Sequence, residues 1–342
     1  MKSLASKYRP KTLDEVVYQT TTVKILKKAV EKDSPKNVYL FAGKSGAGKT
    51  TLAKCFAYEL NKTDAGTIEM DSASNNGVDS MRALVDAAVQ RSLSSKYKII
   101  ILDEVHVLSN QAWQVLLKTF EDCPQYTIFI LCTTEPNKVP KTIQNRAQRF
   151  NITEIPAQLV AQRLEYICQQ EGFTNYTDAC ELISKMCGGG LRDAITLLDQ
   201  CADYSTDLCL QNSKAVLGEA PYERMMKLVN FIVQKRADYV LAAIETLASE
   251  GKDIRAFVDE FLGFVLDLIK YAIFKSIAIT NIPGYLESAA DPMISAQATV
   301  ANCQNTDVLN ALSDKLLEIK NVIKYDTSVK YTVEAYLLQL CR

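Results

Sequence analysis

Eight residues near the start of the chain, GKSGAGKT from Gly43 to Thr50, constrain it more than any other feature. They match every fixed position of the GxxxxGK[ST] pattern, whose glycines let backbone N–H groups point at phosphate oxygens. The apolar run VYLFA precedes the loop, and the helix-compatible run TLAKCFAYEL follows it. A chance glycine-rich turn is the alternative, but strand, loop and helix stand in the order that a phosphate-binding loop requires. The sequence therefore predicts a nucleoside triphosphate site.

The loop supplies the side chains and backbone groups that such a site needs. Lys49 adds a positive charge for the β- and γ-phosphates, and the Thr50 hydroxyl is a ligand for Mg²⁺. The residues expected to bind the nucleotide here are Gly43, Lys44, Ser45, Gly46, Ala47, Gly48, Lys49, Thr50 and Thr51.

The first half of the chain alternates strand-like runs with helical patterns. The strand-like runs are VYLFA, TIEMDS, KIIILDEV and YTIFILCTT. This alternation predicts an α/β domain built on a parallel sheet with helices on both faces. Uninterrupted apolar runs such as IIIL fit strands that are buried on both sides.

The sequence beyond residue 155 is helical in pattern. One amphipathic helix ends at Gly172, and a glycine run follows ACELISKMC. Apolar residues from Ile254 to Leu266 repeat at helical spacing. We therefore divide the chain into an α/β domain (1–155), a small helical domain (156–218) and an all-helical C-terminal domain (219–342). The stretch from Thr280 to Asn302, rich in small residues, is expected to have little regular structure.

Composition gives weaker constraints. The formal net charge is −1 over 342 residues, although residues 1–50 hold 11 Lys and Arg against four Asp and Glu, so contact with a polyanion must be local. The ten cysteines include no CxxC pair and lie among apolar helical neighbours, which indicates free thiols rather than disulfides or a zinc site. The first residues lack an apolar signal core, and FVLDLIKYAIF is interrupted by charges. We expect a soluble protein inside the cell.

A second acidic motif, Asp103-Glu104-Val105-His106, follows the IIIL run. Asp103 at the strand end is expected to hold the Mg²⁺ water shell, and Glu104 to orient and deprotonate an attacking water. The alternative is an acidic pair that caps a helix starting near Ser109. With the complete phosphate loop, the motif predicts hydrolysis of the nucleotide. His106 is either a sensor or simply a packed side chain, and we leave it out of catalysis.

Three further positions are candidates for contact with the γ-phosphate. One of Thr133 and Thr134, at the end of YTIFILCTT, is expected to face the catalytic water, unless both cap backbone groups before Pro136. Arg146, in KTIQNRAQRF, is either a finger that acts on a neighbouring subunit's phosphate or a surface arginine in a salt bridge. Arg192, early in a helix after GGG, is placed to report the γ-phosphate to the helical domain.

The motifs, taken in order, resemble the γ/τ subunit of the bacterial DNA polymerase III clamp loader. They are SKYRPKTLDEVVYQ, GKSGAGKT, IIILDEVHVLSNQAWQVLLKTFED, TTEPNKVPKTIQNR and GGGLRDAITLLDQ, and they span residues 3 to about 220. The remainder resembles the family's helical collar only in position and pattern. The resemblance implies an AAA+ P-loop ATPase domain, a helical lid domain and a collar that mediates oligomerisation.

The resemblance also implies roles for individual residues. Adenine-pocket walls would be Tyr8, Arg9, Pro10 and Val17, the two sensors would be Thr134 and Arg192, and the trans-acting finger would be Arg146. The family's Ser-Arg-Cys triplet is Asn145-Arg146-Ala147 in this chain. The cofactors would be ATP and Mg²⁺.

The chain departs from the family pattern in its zinc module. Bacterial members usually insert four cysteines at the place where this chain runs directly from Cys55 to Thr67, so no zinc is expected. Such a trimmed domain suits a divergent bacterium or a phage. The chain also ends near the end of the collar, as the short γ form does, which gives an expectation of no further extension.

The resemblance suggests two segments that would contact DNA phosphates. Clamp loaders hold DNA phosphates with helix N-termini and a few polar side chains. The candidates are Ser74, Asn75, Asn76, Ser109, Asn110 and Gln111. Ordinary helix capping explains the same residues equally well.

The sequence therefore predicts an ATP-driven motor subunit that, with partner subunits in an expected pentamer, opens a sliding clamp and releases it onto primer-template DNA. Two alternatives stay open. One is a related AAA+ remodeller such as a helicase loader or branch-migration motor. The other is a stationary structural subunit of a clamp loader, which has no need of an intact phosphate loop and acidic pair.

Overall fold

The computed structural model describes residues 3–92, 94–217, 221–251, 253–303, 306–324, 326 and 328–341. The described chain forms two compact units. The first contains the described residues of 1–174 and 187–206, and the second those of 175–186 and 207–341. The predicted boundary between 218 and 219 lies outside the described residues, and the division into three domains stays a prediction.

The first unit is built on a parallel sheet, as the sequence predicts. Its strands are β1 (Val38–Ala42), β2 (Thr67–Asp71), β3 (Lys98–Asp103), β4 (Thr127–Thr133) and β5 (Gln148–Asn151). Among the described residues the strand order is β2-β3-β4-β1-β5, with every neighbouring pair parallel. The four apolar runs form β1 to β4. Strand β5 does not stand out in the sequence, because the edge strand Gln-Arg-Phe-Asn contains a single apolar side chain.

Helices cover both faces of this sheet. They are α2 (Thr20–Glu31), α3 (Lys49–Asn61), α4 (Val78–Val89), α5 (Asn110–Glu121) and α6 (Lys141–Arg146). The unit also contains α1 (Leu4–Lys7), α7 (Ala157–Glu171) and α9 (Leu191–Tyr204). Side chains alternate between the two faces along a strand. Tyr39 and Phe41 of β1 therefore pack with α2 and α3, while Val38 and Leu40 pack with α4, α5 and α6. Helix α7 ends at Gly172 in the left-handed conformation, as the sequence predicts.

The strand order decides where a ligand can bind. In an open parallel sheet, ligands bind beyond the carboxyl ends of the strands. The phosphate loop follows β1, the acidic pair ends β3, and Thr133 ends β4, which lies between them. The topology therefore gathers three separate sequence motifs at one edge of the sheet.

The second unit is helical in its described part. Its helices are α8 (Thr177–Met186), α10 (Leu210–Leu217), α11 (Pro221–Val233), α12 (Ala237–Ser249), α13 (Ile254–Phe274), α14 (Ala296–Asn302), α15 (Asp307–Ile323) and α16 (Val329–Leu340). The predicted apolar repeat of α13 lies in the core, where Phe261 and Val265 are fully buried. Of the helices in the described part of the chain, none is long and apolar enough to cross a membrane.

The prediction of little regular structure between Thr280 and Asn302 is wrong at its end. Helix α14 occupies the last seven residues of that stretch. Its N-terminus is stabilised by the Ser295 hydroxyl, which accepts a hydrogen bond from the backbone N–H of Ala298. Such a side-chain cap satisfies one of the free donors of a first turn and permits a short helix among small residues.

The structure pairs none of the ten cysteines, all of them among the described residues, in a disulfide bond. Burial raises the pKa of Cys55 to about 12 and that of Cys132 well above the ordinary thiol value. Within the described ranges, no group of three or more His, Cys, Asp or Glu side chains is arranged to hold a metal ion. The expectation of no zinc stays a prediction.

Candidate active site

The phosphate loop joins the end of β1 to the start of α3. Its first residue lies against the residue that follows β5, since a Cβ at Gly43 would lie 2.1 Å from the carbonyl oxygen of Ile152. Its last glycine, Gly48, has a φ of 94°, a conformation open to glycine and strained for other residues. Both glycines are therefore required by the backbone path, independently of any ligand.

The side chain of Lys49 is held in place by the phosphate loop itself. Its side chain is only 5% exposed, and Nζ donates hydrogen bonds to the carbonyl oxygens of Gly43 and Lys44, both at 3.0 Å. An ammonium group has three donors, so one remains for a phosphate oxygen. The loop thus fixes a buried positive charge above the first turn of α3.

Thr50 and Asp103 meet directly at the carboxyl edge of the sheet. The Thr50 hydroxyl donates to Asp103 Oδ2 at 2.5 Å, and Asp103 Oδ1 accepts a hydrogen bond from the backbone N–H of Glu104 at 3.0 Å. Hydroxyl and carboxylate oxygens are ligands that Mg²⁺ prefers, so this pair fits a magnesium ion that binds together with phosphates. The sequence placed these residues 53 positions apart, and the fold brings them into contact.

Glu104 adopts an unusual backbone conformation. Its φ is 47° and its ψ 45°, in the left-handed region that is uncommon for residues other than glycine. Backbone strain of this kind is concentrated at functional sites. The side chain reaches the end of β4, where the Thr134 hydroxyl donates to Glu104 Oε2 at 3.3 Å. Of the two threonines predicted as alternatives, Thr134 is the one that contacts Glu104, while Thr133 accepts from the backbone N–H of Glu135.

His106 belongs to this cluster, although the sequence analysis left it out of catalysis. Its Nδ1 lies 3.3 Å from Glu104 Oε2, and its Nε2 lies 3.5 Å from Glu135 Oε1. Both threonine hydroxyls are within 3.5 Å of Nδ1. The signal for His106 in the sequence was its position two residues after Glu104. The sequence could not show that Thr133 and Thr134, at the end of β4, lie beside the imidazole ring.

A cavity of about 430 Å³ opens beside Lys49, Thr50, Asp103 and Glu104 in the first unit. Its volume lies within the range of small-molecule sites. It is lined by Ser3, Ala5, Ser6, Tyr8, Arg9, Pro10, Val16, Val17, Gln19, Ser45, Gly46, Ala47, Gly48, Lys49, Thr50, Thr51, Asp103, Glu104, Ile155, Leu191, Arg192 and Ile195. The four predicted adenine-pocket residues, most of the loop and Arg192 are therefore brought together. Gly43 and Lys44 are not on the wall, and the Lys44 side chain pairs with Glu154.

The N-terminal wall of the cavity is tied to helix α7. The Tyr8 hydroxyl donates to Glu171 at the end of that helix, and Lys7 forms an ion pair with the same carboxylate at 2.6 Å. Burial and the bond to Glu171 raise the pKa of Tyr8 to about 12. The hydrogen bonds from Lys7 and Tyr8 lower the pKa of Glu171. Tyr8 is therefore a neutral donor held against an ionised acceptor at neutral pH.

Arg192 is the second residue of α9 and an exposed part of the cavity wall. The glycine run before it allows the close approach of the chain, since Gly189 has a φ of 81° and a Cβ there would lie 2.8 Å from the Glu154 side chain. The loop and α9 are close neighbours at this point, because a Cβ at Gly46 would lie 3.1 Å from Asp193 Oδ2. Arg192 of α9 thus lines the same cavity as Lys49.

Arg146 is not among the residues that line the cavity. It ends α6, is 43% exposed, and its Nη2 lies 2.6 Å from Glu121 Oε1. The structure therefore shows the surface salt bridge that was the alternative interpretation of this residue. A trans-acting role stays a prediction, because it concerns a neighbouring chain.

The two candidate DNA-contact segments are adjacent. The backbone N–H of Ser109 donates to the carbonyl oxygen of Asn76 at 3.4 Å. Ser74 and Asn75 bond to the side chain and backbone of Asp71, and the Ser109 hydroxyl caps α5 by accepting from the N–H of Ala112 at 3.2 Å. Asn76, Asn110 and Gln111 have exposed side chains.

A phosphate-binding loop beside an acidic strand end, on a parallel sheet followed by a helical region, defines a nucleotide-binding P-loop protein of the AAA+ class. The fold resembles the Thermotoga maritima RuvB Holliday junction branch migration motor, with a TM-score of 0.53 over 72% of this chain and 86% of that one. At 21% sequence identity, that likeness concerns the fold alone.

Sequence comparison shows which proteins within this class the chain is similar to. Residues 59–156 match the family model described as DNA polymerase III, delta subunit, and residues 159–207 match the DNA polymerase III clamp loader subunit, ATPase lid domain. The DNA polymerase III subunit tau of Bacillus subtilis is 33% identical over 77% of this chain and 51% of its own length. The gamma/tau subunit of Mycoplasma pneumoniae is 30% identical over 96% of this chain and 52% of its own length.

The chain therefore carries clamp loader domains and is a homologue of the DNA polymerase III gamma/tau subunits. This confirms the resemblance based on the sequence motifs. The chain spans about half the length of the curated relatives that it matches.

Proposed function

We propose that this protein is an ATPase motor subunit of a DNA polymerase clamp loader. ATP binding would order an assembly that opens a ring-shaped sliding clamp, and hydrolysis would release the clamp onto primer-template DNA. The observation that carries the proposal is the contact of Thr50 with Asp103, beside Glu104 and Lys49, in a chain with clamp loader domains. A stationary subunit would not need that arrangement.

In this proposal each group at the sheet edge has one task. Lys49 neutralises the β- and γ-phosphates, and Thr50 and Asp103 hold Mg²⁺, directly or through its water shell. Glu104 orients and deprotonates the attacking water, with Thr134 as the first sensor beside it. The metal would supply charge neutralisation to the phosphates, while the protein side chains position the reactants.

The remaining groups connect the site to an assembly. Tyr8, Arg9, Pro10 and Val17 would enclose adenine, and Arg192 would report the γ-phosphate to a lid domain of residues 156–218. Arg146 would act on the site of an adjacent subunit. A collar of residues 219–342 would hold the subunits in a hetero-oligomer, which we expect to be a pentamer in the cytoplasm of a bacterium or a phage-infected host.

DNA would be held by the adjacent segments around Asn76 and Ser109. Helix N-termini and exposed amide side chains bind phosphates without reading sequence. The candidate contacts remain Ser74, Asn75, Asn76, Ser109, Asn110 and Gln111. Because the family's basic residues are replaced by Asn75 and Asn76, we expect this segment to bind weakly.

The test is ATP turnover by the assembled protein with and without its clamp and primed DNA. Turnover should rise when both ligands are present, and Lys49→Ala should reduce it by roughly 10²- to 10³-fold, as removal of one preorganised positive or donor group does in other sites. Lys54→Ala is a matched control, since Lys54 lies on the same helix but pairs with Glu69.

Turnover that ignores both clamp and primed DNA would contradict the clamp loader assignment. Translocation or strand separation by the same assembly would favour a remodeller instead. A fully assembled complex that binds ATP without hydrolysing it would indicate a stationary subunit.

A further inference from the structure

We propose that His106 is a positioning residue for Glu104, which holds one carboxylate oxygen so that the other faces the attacking water. This inference rests on the proposed ATPase function and extends it to a side chain that the motifs alone did not assign. It follows from the place of the ring between the ends of β3 and β4 in the folded site.

The imidazole ring is enclosed on several sides. Its side chain is 14% exposed, and it follows the strained residue Glu104 on a short 3₁₀ turn, Val105–Val107. Thr133, fully buried, and Thr134 come to its Nδ1 edge from β4. A ring held by two strand ends has few rotamers available, so its nitrogens have defined neighbours.

The two ring nitrogens face different carboxylates. Nδ1 lies 3.3 Å from Glu104 Oε2, and Nε2 lies 3.5 Å from Glu135 Oε1. Glu135 has another partner in Lys138, whose Nζ lies 2.8 Å from the same oxygen and lowers the pKa of that carboxyl group. Glu135 thus already has a cationic partner, whereas within the described residues Glu104 forms no ion pair with a lysine or arginine. The ring N–H that acts on the Glu104 carboxylate is therefore the one at Nδ1.

His106 and Thr134 converge on the same oxygen of Glu104. The Thr134 hydroxyl donates to Oε2 at 3.3 Å, His106 Nδ1 lies 3.3 Å from the same oxygen, and within the described ranges no hydrogen-bond donor is found at Oε1. Contacts of this length in a ligand-free site commonly shorten when the reactants bind. Oε2 is therefore the anchored oxygen, and Oε1 is left to accept a proton.

The water oxygen forms a bond to the γ-phosphorus while the bond from phosphorus to the bridging oxygen breaks, and that oxygen leaves with the electron pair on ADP. Oε1 of Glu104 takes the water proton and later returns it to solvent. His106 changes no bond to the reactants, and its effect is exerted through the orientation of the carboxylate.

Three substitutions of His106 distinguish the roles of its two ring nitrogens. In asparagine the amide nitrogen occupies roughly the place of Nδ1, and in glutamine roughly the place of Nε2. Loss of a partner that orients a reactive group costs about 10- to 100-fold in activity. His106→Ala should therefore lower kcat for ATP by about that factor, with KM nearly unchanged, His106→Asn should restore most of it, and His106→Gln should not.

The experiment measures kcat and KM in the assembled protein, together with the Kd of Mg²⁺-ATP for each variant as a check that the site is folded. Val107→Ala is the matched control, since it is the next residue on the same turn and a 37% exposed side chain. An unchanged kcat in His106→Ala, a rise in KM alone, or rescue by glutamine rather than asparagine would each overturn the inference. Absence of turnover in the wild-type assembly would instead overturn the proposed function.

Discussion

Lys49 and Arg146 are two cations proposed to act on γ-phosphates, and the chain holds them very differently. Lys49 is 5% exposed and bonded to the carbonyl oxygens of its own loop. Arg146 is 43% exposed and paired with Glu121 at the end of α6. A buried charge with fixed partners is positioned before any ligand arrives, whereas a surface ion pair contributes little and exchanges easily. The region around the phosphate loop is thus preorganised within one chain, and the region around Arg146 is free to change partners.

The largest effect should come from breaking the preorganised region at Glu104. Glu104→Gln keeps the shape of the side chain but removes the proton acceptor, so kcat should fall by about 10²- to 10⁴-fold. The Kd of Mg²⁺-ATP should stay within a small factor of wild type, because Lys49 and the Thr50–Asp103 pair are untouched. Single-turnover hydrolysis and a nucleotide titration measure the two quantities.

A carboxylate outside the site provides the control for that substitution. Glu69 of β2 pairs with Lys54 and is not part of the cavity wall. Glu69→Gln should leave kcat unchanged. If Glu104→Gln behaved in the same way, Glu104 would not be the base, and the preorganised region would reduce to a binding site.

The second test asks whether Arg146 acts on a neighbouring chain. Wild-type protein is mixed in equal amounts with Lys49→Ala protein, or with the Lys49→Ala, Arg146→Ala double variant, so that only wild-type sites turn over. If the arginine acts in trans, about half of the wild-type sites would lose a group worth 10³-fold or more, and turnover would fall to roughly half of the first mixture.

A neighbouring arginine gives the matched comparison. Arg149 lies on β5, is exposed, and bonds to Asn151 and Gln144. Its replacement in the same Lys49→Ala background should not reduce turnover. Equal activity in all three mixtures, once mixed assembly is verified, would show that the ion pair with Glu121 is all that Arg146 does.

The sequence predicted the preorganised region better than the surface around it. The phosphate loop, β1 to β4 and the Thr50–Asp103 contact follow from apolar runs and a fixed motif, because buried strands and tight loops leave few alternatives. Strand β5 was missed because a partly exposed edge needs no apolar run. The assignment of His106 was missed for another reason: its neighbours come from β4, and no spacing within one segment encodes a contact made by strand order.

The third prediction concerns the candidate DNA contacts, for which capping and phosphate binding remain alternatives. Ser109→Ala removes the cap of α5 and should lower the free energy of unfolding by about 1 kcal/mol. Gln111→Ala leaves the cap intact. If the segment binds DNA, Gln111→Ala should weaken the stimulation of turnover by primed DNA without changing the urea midpoint. No change in DNA stimulation for either variant would leave Ser109 as a helix cap only and Gln111 without a role in DNA binding.

The smallest effect is expected at the N-terminal wall of the cavity. Tyr8→Phe removes the hydrogen bond to Glu171, which should lower the free energy of unfolding by about 1 kcal/mol near neutral pH. The folded pKa of Tyr8, about 12, lies above its ordinary value of 10.0, so the folded state favours the neutral hydroxyl. The stabilisation is therefore complete below pH 10 and is lost as the pH rises towards 12, where an ionised Tyr8 would face an ionised Glu171.

Urea unfolding of wild type and Tyr8→Phe at pH 8, 10 and 11 measures this difference. The gap between their midpoints should narrow as the pH rises above 10, whereas Tyr18→Phe, at a 43% exposed side chain, should follow wild type at every pH. A gap that stayed constant with pH would mean that Tyr8 contributes packing rather than a donor. In that case a polar contact would not stabilise the N-terminal wall. The wall would resemble the surface around Arg146 in this respect rather than the phosphate loop.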